Sequence, residues 1–136
     1  MTAGKKIPYL KKKLDEVFST YIRLRDADKN GNCRCISCGN PHPWKYTDCG
    51  HYYSRVYAST RYDEQNCNAQ CMTCNRVGYG NRENYARALI SKYGIKVLSD
   101  LEERKNEIRF MKSSDYEFLI DHYKEKAKVL RKEKQL

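Results

Sequence analysis

Two pairs of cysteines in this chain have the spacing of metal-binding knuckles. Each pair has the form Cys-x-x-Cys, and the four thiols belong to Cys35, Cys38, Cys71 and Cys74. Two intervening residues let both thiolates of a pair reach one ion across a tight turn, and two such pairs complete a closed, tetrahedral zinc site of the structural type. A redox-active pair is the alternative for either knuckle alone, but the doubling favours structural zinc.

Polar residues suited to catalysis lie between and beside these knuckles. His51 belongs to the stretch Asp-Cys-Gly-His-Tyr (48–52), Asn66 follows further along, and Asn75 comes directly after the second knuckle. A lone histidine is usually a hydrogen-bonded polar residue without a further role. A histidine and an asparagine at fixed offsets from a zinc knuckle instead indicate a functional site.

These offsets resemble the HNH motif of the His-Me finger, or ββα-metal, nucleases. Gly50-His51 is similar to the first half of that motif, and Asn66 together with the second knuckle and Asn75 is similar to the second half. The third motif residue is asparagine rather than histidine, which gives an H-N-N variant.

The chain resembles the phage NinG (Rap) recombination nucleases more closely, over roughly residues 10–95. The matching stretches are 21–26, 33–39, 48–52, 60–64, 69–71 and 74–76, followed by 80–81 and Tyr85. The resemblance implies a metal-dependent DNA endonuclease that hydrolyses phosphodiester bonds in branched recombination intermediates, such as D-loops and Holliday junctions.

The resemblance also implies a role for each motif residue. His51 matches the general base, Asn66 matches the residue that braces the hairpin and orients the base, and Asn75 matches a ligand of the catalytic Mg²⁺. Histidine suits a base near neutral pH. An amide oxygen suits a hard ion such as Mg²⁺, with Mn²⁺ as the alternative.

One position departs from the family pattern. Many HNH enzymes carry Asp or His directly before the base as a second metal ligand, and here that residue is Gly50. Asp48 is the candidate substitute, and the alternative is that Asn75 is the sole protein ligand. The missing ligand favours a second hypothesis for function, a non-catalytic zinc-containing module that binds nucleic acid.

The charge of the chain indicates an anionic partner. Its 136 residues include 27 Lys and Arg against 17 Asp and Glu, a formal net charge of +10, and such a charge supplies salt-dependent affinity for a phosphate backbone. We expect branched duplex DNA as the partner, and a homodimer would suit a symmetric junction. The candidate DNA contacts are Arg55, Arg61, Arg76, Lys126, Lys128, Lys132 and Lys134.

The composition also argues against a membrane-spanning or secreted protein. No apolar run approaches the roughly 18 residues of a membrane span, and the basic N-terminus lacks the apolar stretch of a signal peptide. We therefore expect no membrane partner and a cytoplasmic location, in the bacterial host if a phage encodes the chain. In such a compartment, we expect Cys33, Cys49 and Cys67 to be buried small residues rather than metal ligands.

The elements that position these residues are predicted to form a single α+β domain over 1–136, mostly helical. A basic N-terminal helix within 1–32 and a helical region at 82–136 flank a zinc-stapled ββα-metal (HNH) centre at 33–81. Apolar spacing predicts the first helix over roughly 8–27, opened by Pro8. In the centre, Tyr52-Tyr53 and Val56-Tyr57 are typical of strands, and a short helix is predicted to start near Cys71.

The C-terminal region is predicted to contain three helices. The first spans about 82–93, with Asn81 as its cap and Gly94 as its end. A capping box at Ser99-x-x-Glu102 predicts the start of the second helix, which runs to about Lys112. Another at Ser114-x-x-Glu117 predicts the start of the third. The predicted apolar face of the last helix comprises Tyr116, Leu119, Ile120, Tyr123, Ala127 and Leu130.

Overall fold

The computed structural model describes the backbone of residues 3–136 and the side chains of residues 6–136. It is a mostly helical α+β fold with two small antiparallel sheets that pack against the first helix. The helices are α1 (Ala3–Asp26), α2 (Arg82–Tyr93), α3 (Val97–Lys105) and α4 (Ser113–Lys134). The strands are β1 (Asn32–Arg34), β2 (Pro41–Pro43), β3 (Thr47–His51) and β4 (Cys67–Cys71), with a short helical turn at Thr73–Val77 after β4.

The core forms where α1 and α4 pack against each other. Leu14, Phe18 and Ile22 of α1 are buried against Ile120 and Tyr123 of α4. The Phe18 and Tyr123 rings meet edge to face with centroids 4.9 Å apart. Burial of such apolar side chains stabilises a fold by about 1.5–3 kcal/mol each. The predicted apolar faces of both helices are therefore confirmed.

The hairpin of β3 and β4 connects this core to the cysteine knuckles. Its register pairs His51 with Cys67 and Thr47 with Cys71. The Arg25 guanidinium group, at the end of α1, donates to the carbonyl oxygens of Glu64 and Cys67 at 2.8 and 2.9 Å. This partly buried arginine fixes the start of β4 to the end of α1.

The strand prediction for the tyrosine pairs was wrong. Tyr52-Tyr53 and Val56-Tyr57 lie in the irregular loop between β3 and β4. There the Tyr52 ring packs 5.5 Å from that of the buried Tyr85 and 4.2 Å from the Arg82 guanidinium. The aromatic side chains therefore stabilise the loop by packing on α2 rather than by strand pairing.

Several helix boundaries also differ from their predictions. Helix α1 begins by Ala3, so Pro8 lies inside it and forfeits one backbone hydrogen bond there. Helix α3 begins before Ser99, whose hydroxyl group donates to the Lys96 carbonyl at 2.9 Å, and α3 ends at Lys105 rather than near Lys112. Short polar side chains that bond locally to the backbone are compatible with caps and with helix interiors, which explains the error.

The N-terminal caps predicted for α2 and α4 also differ from those in the structure. Asn81 precedes α2 in a left-handed conformation, with φ 41°, and makes no side-chain cap. At α4, the carboxylate of Asp115 accepts a hydrogen bond from the Lys112 N–H at 2.7 Å, in place of the predicted Ser114 box. The predicted end of α2 at Gly94 is confirmed, with φ 99°. No helix within residues 3–136 has the length and apolar character needed to cross a bilayer.

Candidate functional site

The four knuckle cysteines converge on one point. Their sulfur atoms all lie within 4.8 Å of one another, and the Sγ atoms of Cys38 and Cys71 are 3.9 Å apart. Zn–S bonds of about 2.3 Å place the sulfur atoms of a tetrahedral site at about this separation. The N–H groups of Cys38 and Cys74 point at Cys35 Sγ and Cys71 Sγ, at 3.4 and 3.3 Å. The cluster can therefore hold a zinc ion.

Backbone donors also favour the metal-binding form of Cys35. Burial would raise the pKa of its thiol, but hydrogen bonds from the backbone of Cys38, Cys71 and Ser37 outweigh burial and lower the pKa to about 7. A thiolate is the form that binds a metal.

His51 is the last residue of β3, and a backbone carbonyl orients its ring. The Nε2 atom lies 2.9 Å from the carbonyl oxygen of Arg61. Because a carbonyl only accepts hydrogen bonds, Nε2 carries the hydrogen, and Nδ1 of the neutral ring holds a lone pair. Burial lowers the pKa of His51, against the opposing effect of the Arg61 carbonyl. The neutral ring is the form required of a base.

Asn66 is fully buried and braces the loop that carries this carbonyl. Its Nδ2 donates to the carbonyl oxygens of Tyr53 and Thr60 at 2.9 and 3.0 Å, and its Oδ1 accepts from the Tyr53 N–H at 2.8 Å. Asn66 does not touch His51 through these bonds. It fixes Thr60, the neighbour of Arg61, and thereby supports the His51 ring indirectly.

Asp48 and Asn75 lie side by side. The Asn75 Nδ2 donates to Asp48 Oδ2 at 2.9 Å, and the Arg76 guanidinium donates to both carboxylate oxygens of Asp48 at 2.9 and 2.8 Å. The short turn at Thr73–Val77 therefore places its polar side chains against β3. This arrangement brings the Asp48 carboxylate and the Asn75 amide group side by side.

One cleft of about 630 Å³ brings these residues together. His51, Asp48 and Asn75 line it, with Arg55 and Arg76 at its edge. The Arg55 and Arg76 side chains are 59% and 61% exposed, so both present positive charge to solvent. Arg61 is different, because its side chain is only 14% exposed.

Sequence reasoning missed Asp15, which supports this arrangement from α1. Its carboxylate accepts hydrogen bonds from Arg61 Nε and Nη2 at 2.9 and 2.6 Å and from the Tyr62 hydroxyl at 2.8 Å. Burial would raise the pKa of Asp15, but the bonds from Arg61 and Tyr62 prevail and lower it. Asp15 follows Leu14 on an amphipathic helix, so the sequence indicated only a residue of the polar face. Arg23 and Lys45, which also line the cleft, were missed for the same lack of a motif.

Two of the predicted lysine contacts have partners within the protein. The Lys134 ammonium group donates to the carbonyl oxygens of Leu24, Arg25 and Ala27 at 2.7, 3.1 and 2.6 Å, which caps the C-terminus of α1. The Lys126 ammonium group lies 3.6 Å from Glu64 Oε2. Lys128 and Lys132 are exposed. DNA contact by these lysines stays a prediction.

Gln70 fills the space that a side chain at position 50 would need. A Cβ atom at Gly50 would meet Gln70 Oε1 and lie 2.8 Å from Gln70 Cβ. Gln70 cannot easily move, because it is fully buried and its Nε2 donates to Ser37 Oγ at 2.9 Å and to the Gly80 carbonyl at 2.6 Å. The departure from the HNH pattern thus has a steric reason.

We expect Gly50→Ala to destabilise the protein by about 1–3 kcal/mol, the usual cost of overpacking. Chemical denaturation of the four members of a double-mutant cycle with Gln70→Ala is the measurement. Gln70→Ala should remove part of the penalty of Gly50→Ala, because it deletes the Oε1 atom that the new methyl group meets but leaves the Cβ atom. Additive effects of the two substitutions would contradict this steric account.

Fold and site together define a mostly helical α+β protein with a four-cysteine cluster that can hold zinc. The chain matches the family model described as "Bacteriophage Lambda NinG protein" over residues 1–133. It therefore belongs to the NinG family.

Relatives with the name "Protein ninG" occur in Salmonella phage P22, Escherichia phage lambda and Escherichia phage 933W. Each is 32% identical to this chain over 124 residues, which is 90% of the chain. The chain spans 58–59% of the length of these relatives. No solved structure matches the chain.

Proposed function

We propose that this protein is a metal-dependent DNA endonuclease of the HNH, or His-Me finger, superfamily. The observation that carries the proposal is the convergence of His51, Asp48 and Asn75 on one cleft. The order β3, β4, short helix agrees with the ββα-metal arrangement that the sequence motif implies. Two of the clustered cysteines, Cys71 and Cys74, lie at the end of β4 and in the short helix. Membership of the NinG family agrees with the resemblance from which the function was first inferred.

His51 takes the role of the general base. Its Nδ1 accepts a proton from a water molecule, while the Arg61 carbonyl holds the Nε2–H and stabilises the imidazolium that forms. The water oxygen bonds to phosphorus and the bond from phosphorus to the 3′ oxygen breaks, so the products are a 5′-phosphate and a 3′-hydroxyl that takes up a proton. Base catalysis of this kind contributes about 10²–10⁴-fold to a rate.

Asp48 and Asn75 fit Mg²⁺, because a carboxylate and an amide oxygen are hard donors, and Mn²⁺ accepts similar ligands. These two residues would hold the ion beside His51. When bound, the ion supplies positive charge to the scissile phosphate and the leaving oxygen. The Arg76 guanidinium already binds Asp48 and adds a cation to the same edge of the cleft.

The proposed substrate is branched duplex DNA, a recombination intermediate. The net charge of +10 and the exposed Arg55 and Arg76 fit a phosphate backbone. A homodimer would suit the symmetry of a four-way junction. The proposed place of action is the cytoplasm of the bacterial host.

Incubation of the zinc-loaded protein with branched or nicked DNA, with and without Mg²⁺, tests the proposal. A linear duplex of the same sequence is the matched substrate control. We expect the protein to cut the branched DNA when Mg²⁺ or Mn²⁺ is present and not in the absence of both ions. The cut strands should carry 3′-hydroxyl ends. Binding of the same DNA without cutting in either ion would refute the nuclease and support the alternative, a non-catalytic zinc-containing nucleic-acid-binding module.

Charge reversal at Lys128 and Lys132 is expected to weaken binding to branched DNA without changing the chemistry at saturating DNA. Each lost phosphate contact should reduce the slope of log affinity against log salt by about 0.9 on duplex DNA. Binding measured over a range of salt concentrations gives that slope. Both lysines are exposed, so the variant should fold.

Lys134→Gln is the comparison for the Lys128 and Lys132 variant, because it removes a lysine of α4 that has partners within the protein. It breaks the three hydrogen bonds to the end of α1 and should therefore lower stability. A salt slope that is unchanged in the Lys128 and Lys132 variant would exclude this face of α4 from the DNA interface.

A further inference from the structure

A second group of potential metal ligands lies on the hairpin, outside the four-cysteine cluster. Cys49 and His51 are two residues apart on β3, so their side chains point to the same face of the strand. Cys67 on β4 is the register partner of His51, which places its side chain on that face too. The ligand atoms of Cys49, His51 and Cys67 all lie within 4.8 Å of one another.

This group shares no residue with the four-cysteine cluster. Cys67 is fully buried and Cys49 partly buried against the core that α1 builds. The Sγ atom of Cys67 lies 3.5 Å from the Arg61 carbonyl, the same group that orients His51. The expectation that these thiols are buried holds for Cys67 and only in part for Cys49, and it leaves their approach to His51 unexplained.

The chemistry of the three ligands selects the class of ion. Two thiolates and one imidazole suit borderline ions such as Zn²⁺ and Co²⁺ rather than Mg²⁺. Three protein ligands with a free fourth position are typical of open zinc sites, and Cys₂His is one of their known ligand sets. Cys49 and His51 both line the solvent-filled cleft, so a water molecule can take the fourth position.

We propose that Cys49, His51 and Cys67 form a second site, for Zn²⁺ or a similar borderline ion, beside the proposed catalytic cleft. Binding releases the thiol protons to solvent and uses a nitrogen lone pair of His51. This site is more weakly occupied than the four-cysteine site, because only three protein ligands hold the ion. An ion bound there withholds His51 from base catalysis. This consequence, unlike the binding itself, rests on the proposed nuclease function.

Titration of reduced, zinc-loaded protein with Co²⁺ alone tests the binding. A thiolate ligand gives Co²⁺ an intense charge-transfer absorption, so filling of the second site should add this band. Cys49→Ala should abolish the added band, and Cys33→Ala is the matched control, because Cys33 is also a buried thiol but lies outside the cluster. His51→Ala should weaken the apparent Co²⁺ affinity.

The outcomes separate the site from exchange of the structural zinc. A band that appears in the wild type and in Cys33→Ala but not in Cys49→Ala supports the second site. No added band, or an equal band in Cys49→Ala, overturns it. The readout does not depend on DNA cutting, so failure of the nuclease proposal leaves this result intact. If the protein cuts DNA, added Zn²⁺ should slow the wild type by a larger factor than it slows Cys49→Ala.

Discussion

His51→Ala should lower the rate of DNA cutting by about 10²–10⁴-fold while DNA binding persists, because a general base acts in the transition state and not in binding. The measurement is single-turnover cutting of a branched substrate in Mg²⁺, with affinity measured separately in chelator. Zinc content and thermal unfolding should stay close to those of the wild type, since the strand pairing of β3 with β4 does not require the imidazole.

His122→Ala is the matched control for this substitution. His122 is an exposed histidine on α4, stacked on Phe118, and its loss should leave the cutting rate unchanged. Equal rates for the wild type and His51→Ala would remove the proposed mechanism. Loss of DNA binding in parallel with cutting would show that His51 acts in the interface rather than on water.

Cys71→Ser should abolish zinc retention and unfold the centre of the protein. Structural zinc sites supply about 10–16 kcal/mol of apparent binding free energy at neutral pH, which is comparable to the whole stability of a domain, about 5–15 kcal/mol. Cys71 both ends β4 and contributes a sulfur atom to the cluster. Its loss therefore reaches the hairpin that carries His51.

Metal analysis after extensive dialysis measures this effect, together with circular dichroism during heating. We expect about one zinc per chain in the wild type, since four thiolates close the site, and no cooperative transition of the centre in Cys71→Ser. Cys33→Ala should retain its zinc, because Cys33 lies outside both candidate ligand sets. Retention of zinc and of a cooperative transition by Cys71→Ser would contradict a structural metal at this site.

The sequence predicted the knuckles well because their geometry is local. Two intervening residues fix the approach of two thiols, so the spacing alone indicated that Cys35 and Cys38 can bind the same metal ion. The long helices were predictable for a similar reason, because an apolar side chain recurs once per turn over about four turns of α1 and of α4. Helix ends were less certain, as Ser99 and Pro8 show, since a single residue carries the signal there.

The strands illustrate where local preference fails. All five residues of β4, Cys-Asn-Ala-Gln-Cys, are buried, although none has a strong preference for strands. They form a strand because Arg25 and Asp26 of α1 bind it, through the Cys67 carbonyl at 2.9 Å and the Ala69 N–H at 2.8 Å. The sequence of the hairpin does not indicate that these two residues of α1 bind it.

The sequence by itself determined the cysteine knuckles, the amphipathic helices and the identities of the candidate catalytic residues. The tertiary structure alone decided which distant residues hold these elements and side chains in place. Asp15 reaches Arg61 across 46 positions, and the Arg61 carbonyl then orients His51, while Lys134 caps α1 from more than a hundred residues away. Such contacts depend on how α1, α4 and the hairpin pack, and packing joins residues whose spacing in the chain carries no periodic or motif signal.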